Sequence, residues 1–361
     1  MEIEVFSRIG TTGFNYESTA IIDNFKSLMT GRYYYKTNNF SLTHPLSVEA
    51  VHLLVPDTIL LINGCFYYID NAVMADATSG EFAIEGKSLL GKVEDRIIER
   101  NYNRQARPEQ IAYDHLTNEL SGSKRNINYL NIKTPGNLTG GSIRYQNSYG
   151  DVLEEIESLA LTYGFGIKEH ATSISSPNNT VEFVKGRDLS GVVEFSKEYE
   201  NLMSESYHNA NYDERTTAIV LGEGEGAERK KVIVGDEFTG LERKELYVDA
   251  RDLQQENDGV MMSNAEYLEV LRTRGRSKLA EHNKTFTIGG DIDLKSSLFK
   301  YGDDYDVGDR VTIKSSSLGL SKTAVLAGVE ETWDEQGHHL TPIWENESMN
   351  VFEMIKRDMK K

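Results

Sequence analysis

The chain has 361 residues, of which 39% are hydrophobic and 27% charged, a length and balance that suit two or three globular domains with proper cores. Its 57 acidic against 39 basic residues give a net charge of −18, which argues against a nucleic-acid reader, because such proteins gain most of their affinity from basic contacts to phosphate. A single cysteine, Cys65, excludes intrachain disulfides and a multi-thiolate zinc site, and no apolar run approaches the ~18 residues of a membrane span.

The N-terminal sequence MEIEVFSRIG lacks the basic-then-apolar order of a secretory signal, so synthesis in the cytoplasm is expected. The first hundred residues read as antiparallel β-structure. In the stretch GRYYYKTNNFSLTHPL, residues 31–46, three consecutive tyrosines precede a polar turn and then Phe40 and Leu42 in alternation. That pattern predicts a hairpin buried on both faces, one against the core and one against another subunit; an aromatic ligand platform is the alternative. In TILLINGCFYYID, Asn63-Gly64 separates two apolar runs, 59–62 and 65–69, and predicts a hairpin whose turn residues take positive φ and whose strands are covered on both sides. A second hairpin is expected in VMADATSGEFAIEG, with Ser79-Gly80 near its turn.

From Arg107-Pro108 the pattern changes. PEQIAYDHLTNEL opens with a proline suited to a first helical turn and places Ile111, Ala112, His115, Leu116 and Leu120 on one stripe, which makes His115 a core histidine rather than a ligand. Residues 121–142 read as loop or irregular β. DVLEEIESLALTYGFGI gives a second helix with Leu153, Ile156, Leu159, Ala160 and Tyr163 inward and Gly164 as its stop. A Ser/Asn/Pro loop at 172–179 closes this part.

Beyond residue 181, FVKGRDLSGVVEFS, TTAIVLGEG, RKKVIVGDE and KELYVDA are expected as strands. Ser263 and Glu266 form a capping box for a helix over 264–282. Its Arg272, Arg274, Arg276 and Lys278 suit a solvated face or salt bridges between subunits. KTFTIGGDI, DVGDRVTIKS, TAVLAGVEETW and HLTPIW continue the β-structure, and a polar helix is expected over 347–360. GKSLLGKV (86–93) and GRDLSGVV (186–193) echo one another, which would suit two similar β-domains flanking the helical part.

Catalytic signals are not evident. GEGEGAER, residues 222–229, has dinucleotide-fingerprint spacing, but a strand follows where a helix N-terminus is needed, so a hairpin tip is expected. None of the eight histidines forms an HExxH zinc motif, and the adjacent His338 and His339 would point to opposite faces of a strand. Cys65 reads as a buried, inert thiol. Asp303, Asp304 and Asp306 lack calcium-loop spacing and read as a turn leading into a strand. No catalytic, cofactor-binding or metal residue is assigned, and no cofactor is expected.

Three stretches carry a resemblance. RYYYKTNNFSLTHP, FAIEGKSLLGKVEDRII and YGDDYDVGDRVTI all resemble signatures of the tail-tip/baseplate hub proteins of long-tailed (siphovirus) phages and follow one another in that family's order; the family is similar to the hub part of tail-associated lysins and to contractile-phage baseplate hubs. The resemblance implies a mainly β, α+β fold with two β-barrel-like tube domains joined by smaller α/β insertions. In those terms residues 1–105 form the first tube domain, 106–180 the α/β insertion, 181–345 a second β-rich region with a tube domain and the helix 264–282, and 346–361 a C-terminal helix.

The function implied is structural, not enzymatic. The hub would form a homotrimeric ring at the virion tail tip that continues or closes the tail tube, next to a tail-tube or distal tail protein. It would anchor fibre or receptor-binding proteins and let DNA pass through its lumen without specific binding, the carboxylates repelling the phosphates within a Debye length of ~8 Å. Other hubs often carry a C-terminal peptidase, lysozyme-like or fibre-binding extension; as this sequence ends at Lys361, such a module is expected to be absent or supplied by a partner. The alternatives are a carbohydrate- or receptor-binding module, which exposed aromatic clusters would favour, and a cell-wall-degrading enzyme.

Overall fold

A computed structural model of the chain describes residues 1–345 apart from 11–12, 75–76, 148, 258 and 293–297. The helix expected over 347–360 lies outside the described residues. The N-terminal part forms β1 (Ile3–Arg8), β2 (Tyr16–Ile22), β3 (Ser27–Tyr33), β4 (Asn39–Pro45), the short helix α1 (Val48–Leu53), β5 (Ile59–Ile62), β6 (Cys65–Val73), β7 (Glu81–Ser88) and β8 (Tyr102–Ala106). Then come α2 (Pro108–Glu119), β9 (Leu130–Ile132), β10 (Ile143–Asn147), α3 (Val152–Tyr163), β11 (Gly166–Ala171) and β12 (Asn179–Val184). The remainder comprises β13 (Glu194–Ser196), β14 (Leu202–Ala210), β15 (Thr217–Leu221), β16 (Lys231–Val234), β17 (Glu245–Asp249), β18 (Glu256–Asn257), β19 (Val260–Met261), α4 (Asn264–Ala280), β20 (Thr285–Ile292), β21 (Arg310–Ser315), β22 (Leu320–Asp334) and β23 (Gly337–Trp344).

Local chemistry explains the boundaries. Asn63 and Gly64 take φ of 47° and 74°, the paired positive values that a tight two-residue hairpin turn requires between β5 and β6. Pro108 opens α2, Asp151 caps α3 by accepting the Glu154 N–H, and Gly164 ends α3 in the left-handed conformation at φ 66°. In α4, Ser263 and Glu266 satisfy each other's backbone N–H groups as a full capping box.

Most strands join one 13-stranded sheet, whose main path runs β14-β20-β23-β22-β3-β4-β7-β6-β5-β1-β2, with β21 paired to β22 and β13 to β21. This corrects the expected pair of β-barrels. Closing the N-terminal half would require β2 to reach β3, but β3 already spends one edge on β4 and the other on β22, with Tyr33 opposite Gly328 and Leu28 opposite Trp333. The two halves therefore run into a single open sheet. Its ends are β2 and β14, each paired on one side among the described residues.

The β5–β6 hairpin shows why its sequence is apolar at nearly every position. Ile59, Phe66 and Tyr68 face a core built with α2 and α3, including Ile111, Leu116, Ile156 and Leu159. Leu60, Ile62, Cys65, Tyr67 and Ile69 face the opposite core with Ile3, Val5, Leu28 and Leu42. At about 1.5–3 kcal/mol for each large apolar side chain buried, both faces contribute to stability. A third core gathers Phe195, Tyr305, Val311, Leu326 and Trp344, and a fourth packs α4 onto the small β16-β15-β17 sheet through Val220, Tyr267 and Leu271.

The segment expected as a strand from FVKGRDLSGVVEFS is strand only at its ends, in β12 and β13. Between them the backbone at Gly186 runs against Gly308, so close that a Cβ there would stand 1.8 Å from the Gly308 carbonyl oxygen. The echo with residues 86–93 does not extend to conformation: Gly86 sits inside β7 and a 3-10 turn follows at Leu89–Asp95, whereas 186–193 is loop.

Candidate functional site: a tyrosine joint and a polar sheet face

The tyrosine run leaves the end of β3 at the place where the N-terminal strands, the α/β part and the C-terminal strands meet. Tyr34 serves all three. Its N–H donates to Ala327 O at 2.8 Å, and its carbonyl accepts from Ile167 N–H at 2.7 Å. Its hydroxyl accepts from Gly186 N–H at 2.9 Å and donates to Val184 O at 3.3 Å. The ring lies between Gly166 and Gly308, where a Cβ would stand 2.0 Å and 2.3 Å from its carbons. Tyr34 is 4% exposed, and burial raises its hydroxyl pKa.

Its neighbours complete the joint. Tyr33 is buried, accepts Lys36 Nζ over its ring at 4.2 Å, and receives support from Asn38, whose side-chain oxygen accepts the Tyr33 N–H. Tyr35 packs edge-on to Tyr34 with centroids 4.7 Å apart and donates to Glu345 at 3.3 Å. The face expected against a neighbouring subunit is thus taken up, for Tyr33 and Tyr34, by segments of the same chain. Sequence spacing gave no sign of these distant partners, because the covering residues lie 130 to 290 positions further on.

Two charged clusters brace the joint. Asp309, 3% exposed, accepts from Arg187 Nη2 at 2.6 Å and Nε at 3.1 Å, and also from the backbone N–H of Arg187 at 2.7 Å and of Asp306 at 3.0 Å. Lys168 pairs with Asp306 at 2.9 Å. The Asp303–Asp306 stretch is thus the turn into β21 that the sequence suggests, with Asp309 as its anchor.

Deeper in, Glu169 accepts from Ser88 Oγ at 2.6 Å, Leu90 N–H at 3.0 Å and Asn179 Nδ2 at 2.5 Å. Asn179 also clips both backbone groups of Phe66, donating to its carbonyl at 2.9 Å and accepting its N–H at 3.1 Å. Burial pushes the Glu169 carboxyl up to about 7, against these donors, which favour the anion. The carboxylate therefore ties the first sheet to the α/β part at a position that titrates near neutrality.

The other residues singled out by sequence have structural surroundings. His115 is 1% exposed, lies within 3.3 Å of the Tyr145 hydroxyl, and has its pKa lowered to about 4 by burial, as a core histidine should. Cys65 is buried and its thiol pKa is raised by desolvation. His338 stacks on Trp333 and faces Glu331 at 3.6 Å, while His339 faces Asp334 at 3.6 Å, so the pair diverges. The GEGEGAER stretch forms the tip between β15 and β16. Arg272 and Arg276 pair with Glu269, Arg274 with Asp252 and Lys278 with Glu281, all within the chain. Among the described residues no group of three or more His, Cys, Asp or Glu side chains is placed to hold a metal ion, and no helix is long and apolar enough to cross a membrane.

What the joint creates is a surface. Because β3 and β22 pair, one cross-strand row runs through His339, Thr332, Met29, Ser41, Glu85 and Asn71, and none of these six is buried. On the opposite face the row Trp333, Leu28, Leu42, Ile84 and Ala72 lies against a core. Cross-strand neighbours share a face, so this largely polar side, with Met29 the one apolar member of the row, continues from one half of the molecule to the other.

The fold is similar to that of three solved tail proteins. They are the tail protein from Neisseria meningitidis MC58 (14% identity, 95% of this chain and 97% of that chain, TM-score 0.54), the prophage tail protein gp18 from Listeria monocytogenes EGD-e (14%, 100% and 100%, 0.53) and the prophage MuSo2 tail protein from Shewanella oneidensis (14%, 95% and 98%, 0.52). At this identity the likeness is one of fold. None of the curated proteins matches the chain in sequence. The sequence does match the Siphovirus ReqiPepy6 Gp37-like protein family over residues 2–343, nearly its whole length, and the chain belongs to that family.

Proposed function

We propose that the chain is the structural hub of a phage tail tip, a virion protein whose work is assembly rather than catalysis. The family match over residues 2–343 carries this reading, and the tail-protein fold supports it. Three copies would form a ring that continues or closes the tail tube, with a tail-tube or distal tail protein on one side and fibre or receptor-binding proteins on the other. Two features of the chain favour an assembling part. The large sheet ends in β2 and β14, whose outer backbone edges offer hydrogen-bonding groups to a neighbour. The largely polar face, in a chain of net charge −18, suits the wall of a passage along which DNA moves without sticking.

The burial of Tyr33 and Tyr34 within the chain argues against an aromatic ligand platform in this tyrosine run. The test is the mass of the purified protein across concentration, by light scattering after size exclusion, with negative-stain images of the same peak. A ring of three with a central opening is expected, alone or once the tail-tube protein is added. A monomer that stays monomeric with that protein present contradicts the ring.

A further inference from the structure

A cleft of about 420 Å³, a size usual for small-molecule sites, opens where the start of β2, the turn ahead of β5, the 3-10 turn at Leu89–Asp95 and the loop leading into β9 converge. Part of its lining is the buried core: Ile59, Tyr68 and Leu89 are each almost fully enclosed. Three half-buried rings stand beside them. Phe14 stacks on Tyr129 with centroids 3.9 Å apart and meets Tyr16 at 4.6 Å. None of these residues belongs to the tyrosine joint.

The cations at the cleft are already engaged. Lys92 pairs with Asp57 at 3.0 Å and lies over the Tyr68 ring at 4.0 Å from its centroid. Arg8 donates to Gly13 O at 3.2 Å, and the Tyr16 hydroxyl donates to Asp57 O at 2.9 Å. The neutral groups of the loop before β9 are not engaged. Ser123, Asn126 and Asn128 are exposed and Tyr129 is half-buried. Among the described residues no hydrogen bond occupies the side-chain oxygens and nitrogens of these four.

Half-buried rings beside a group of unengaged, uncharged donors and acceptors suit one ligand chemistry. A pyranose ring presents C–H groups on its faces to aromatic side chains, and its hydroxyls both donate and accept. Two carboxamides, a hydroxyl and a phenol can answer those hydroxyls in both senses. A phosphate would call for free cations, and a wholly apolar ligand would leave the carboxamides unpaired. We propose that this cleft binds a pyranose unit of a glycan, with the Phe14, Tyr16 and Tyr129 cluster against the ring and Ser123, Asn126 and Asn128 on its hydroxyls. The site gives the chain a sugar contact that does not depend on its forming a ring.

Saturation-transfer difference NMR of the full chain tests this with the methyl pyranosides of glucose, galactose, mannose and N-acetylglucosamine, with adenosine run alongside. Transfer to at least one pyranoside is expected. Asn126→Ala with Asn128→Ala should raise its Kd about tenfold or more, since two hydrogen bonds are lost. The thermal unfolding midpoint should stay unchanged, because both side chains are exposed and make no contact that holds the fold. Preference for the N-acetylated probe would point to a wall glycan as the source, and preference for another to a surface polysaccharide. Transfer to none of the pyranosides, transfer to adenosine alone, or an unchanged Kd in the double variant would each overturn the proposal.

Discussion

Gly308 leaves room for Tyr34: a Cβ on this glycine would stand 2.3 Å from the tyrosine ring, inside any tolerable contact. The backbone there is also left-handed, at φ 98°, so a side chain is opposed twice. Gly308→Ala is expected to cost about 3 kcal/mol or more through overpacking and backbone strain. Denaturant unfolding of the purified variant measures this; a loss under about 1 kcal/mol would show that the joint yields more easily than its geometry implies.

Tyr34→Phe isolates the hydroxyl. It removes the acceptor for Gly186 N–H and the donor to Val184 O while keeping the ring. The expected cost is about 1–2 kcal/mol, since a part-buried N–H loses its partner. Tyr35→Phe should cost less, because its hydroxyl meets a half-buried carboxylate that water can reach.

The Asp309 cluster makes a third case. Asp309→Ala strands two backbone N–H groups and the Arg187 guanidinium, and a loss of roughly 3 kcal/mol is expected. Arg187→Met should cost clearly less, since the arginine is 54% exposed on its side chain and the pair is partly screened. The ratio of the two losses is the readout. Equal losses would mean that the ion pair, and not the carboxylate's grip on the backbone, holds the turn.

Legibility in the sequence divides along this same line. Local signals are sufficient for Asn63-Gly64, Pro108, Gly164 and the Ser263–Glu266 box, since each depends on residues within a few positions of itself. The double-sided apolar run in β5 and β6 likewise announces burial on both faces. By contrast, whether the sheet closes depends on one long-range choice, the pairing of β3 with β22, about 300 residues apart, for which neither strand carries a distinctive mark. The joint was half legible: the tyrosines, Gly186 and the Gly308-Asp309 pair all stand in stretches that the sequence marks, but only folding shows that they meet. β14 and α1 carry no clear signal in the sequence, because LMSESYHNA is mixed in polarity and VEAVHL spans only six residues.

Glu169 predicts a dependence on pH. Its folded pKa, about 7, is raised above the ordinary carboxyl value, so the folded state holds this proton more tightly than the unfolded chain. The stability it contributes is fully present below the unfolded value near 4.5 and is lost as pH rises through about 7. The loss amounts to roughly 3 kcal/mol at most. His115, lowered to about 4, acts in the opposite sense, destabilising the fold as pH falls below its ordinary value. Urea unfolding between pH 5 and 8 for the wild type and Glu169→Gln separates the two, because the His115 contribution cancels in the difference. The wild type should lose stability relative to the variant across that window; parallel curves would show that Glu169 is ionised throughout.

The central claim is that the chain is a structural part of a tail tip. Gold-labelled antibody against the chain, imaged on intact virions by negative stain, tests it most directly. Label confined to the distal end of the tail, with the protein present in purified particles in fixed stoichiometry, is the predicted result. Label on the capsid or along the tail shaft, or a protein found in infected cells but missing from the virion, would contradict the account.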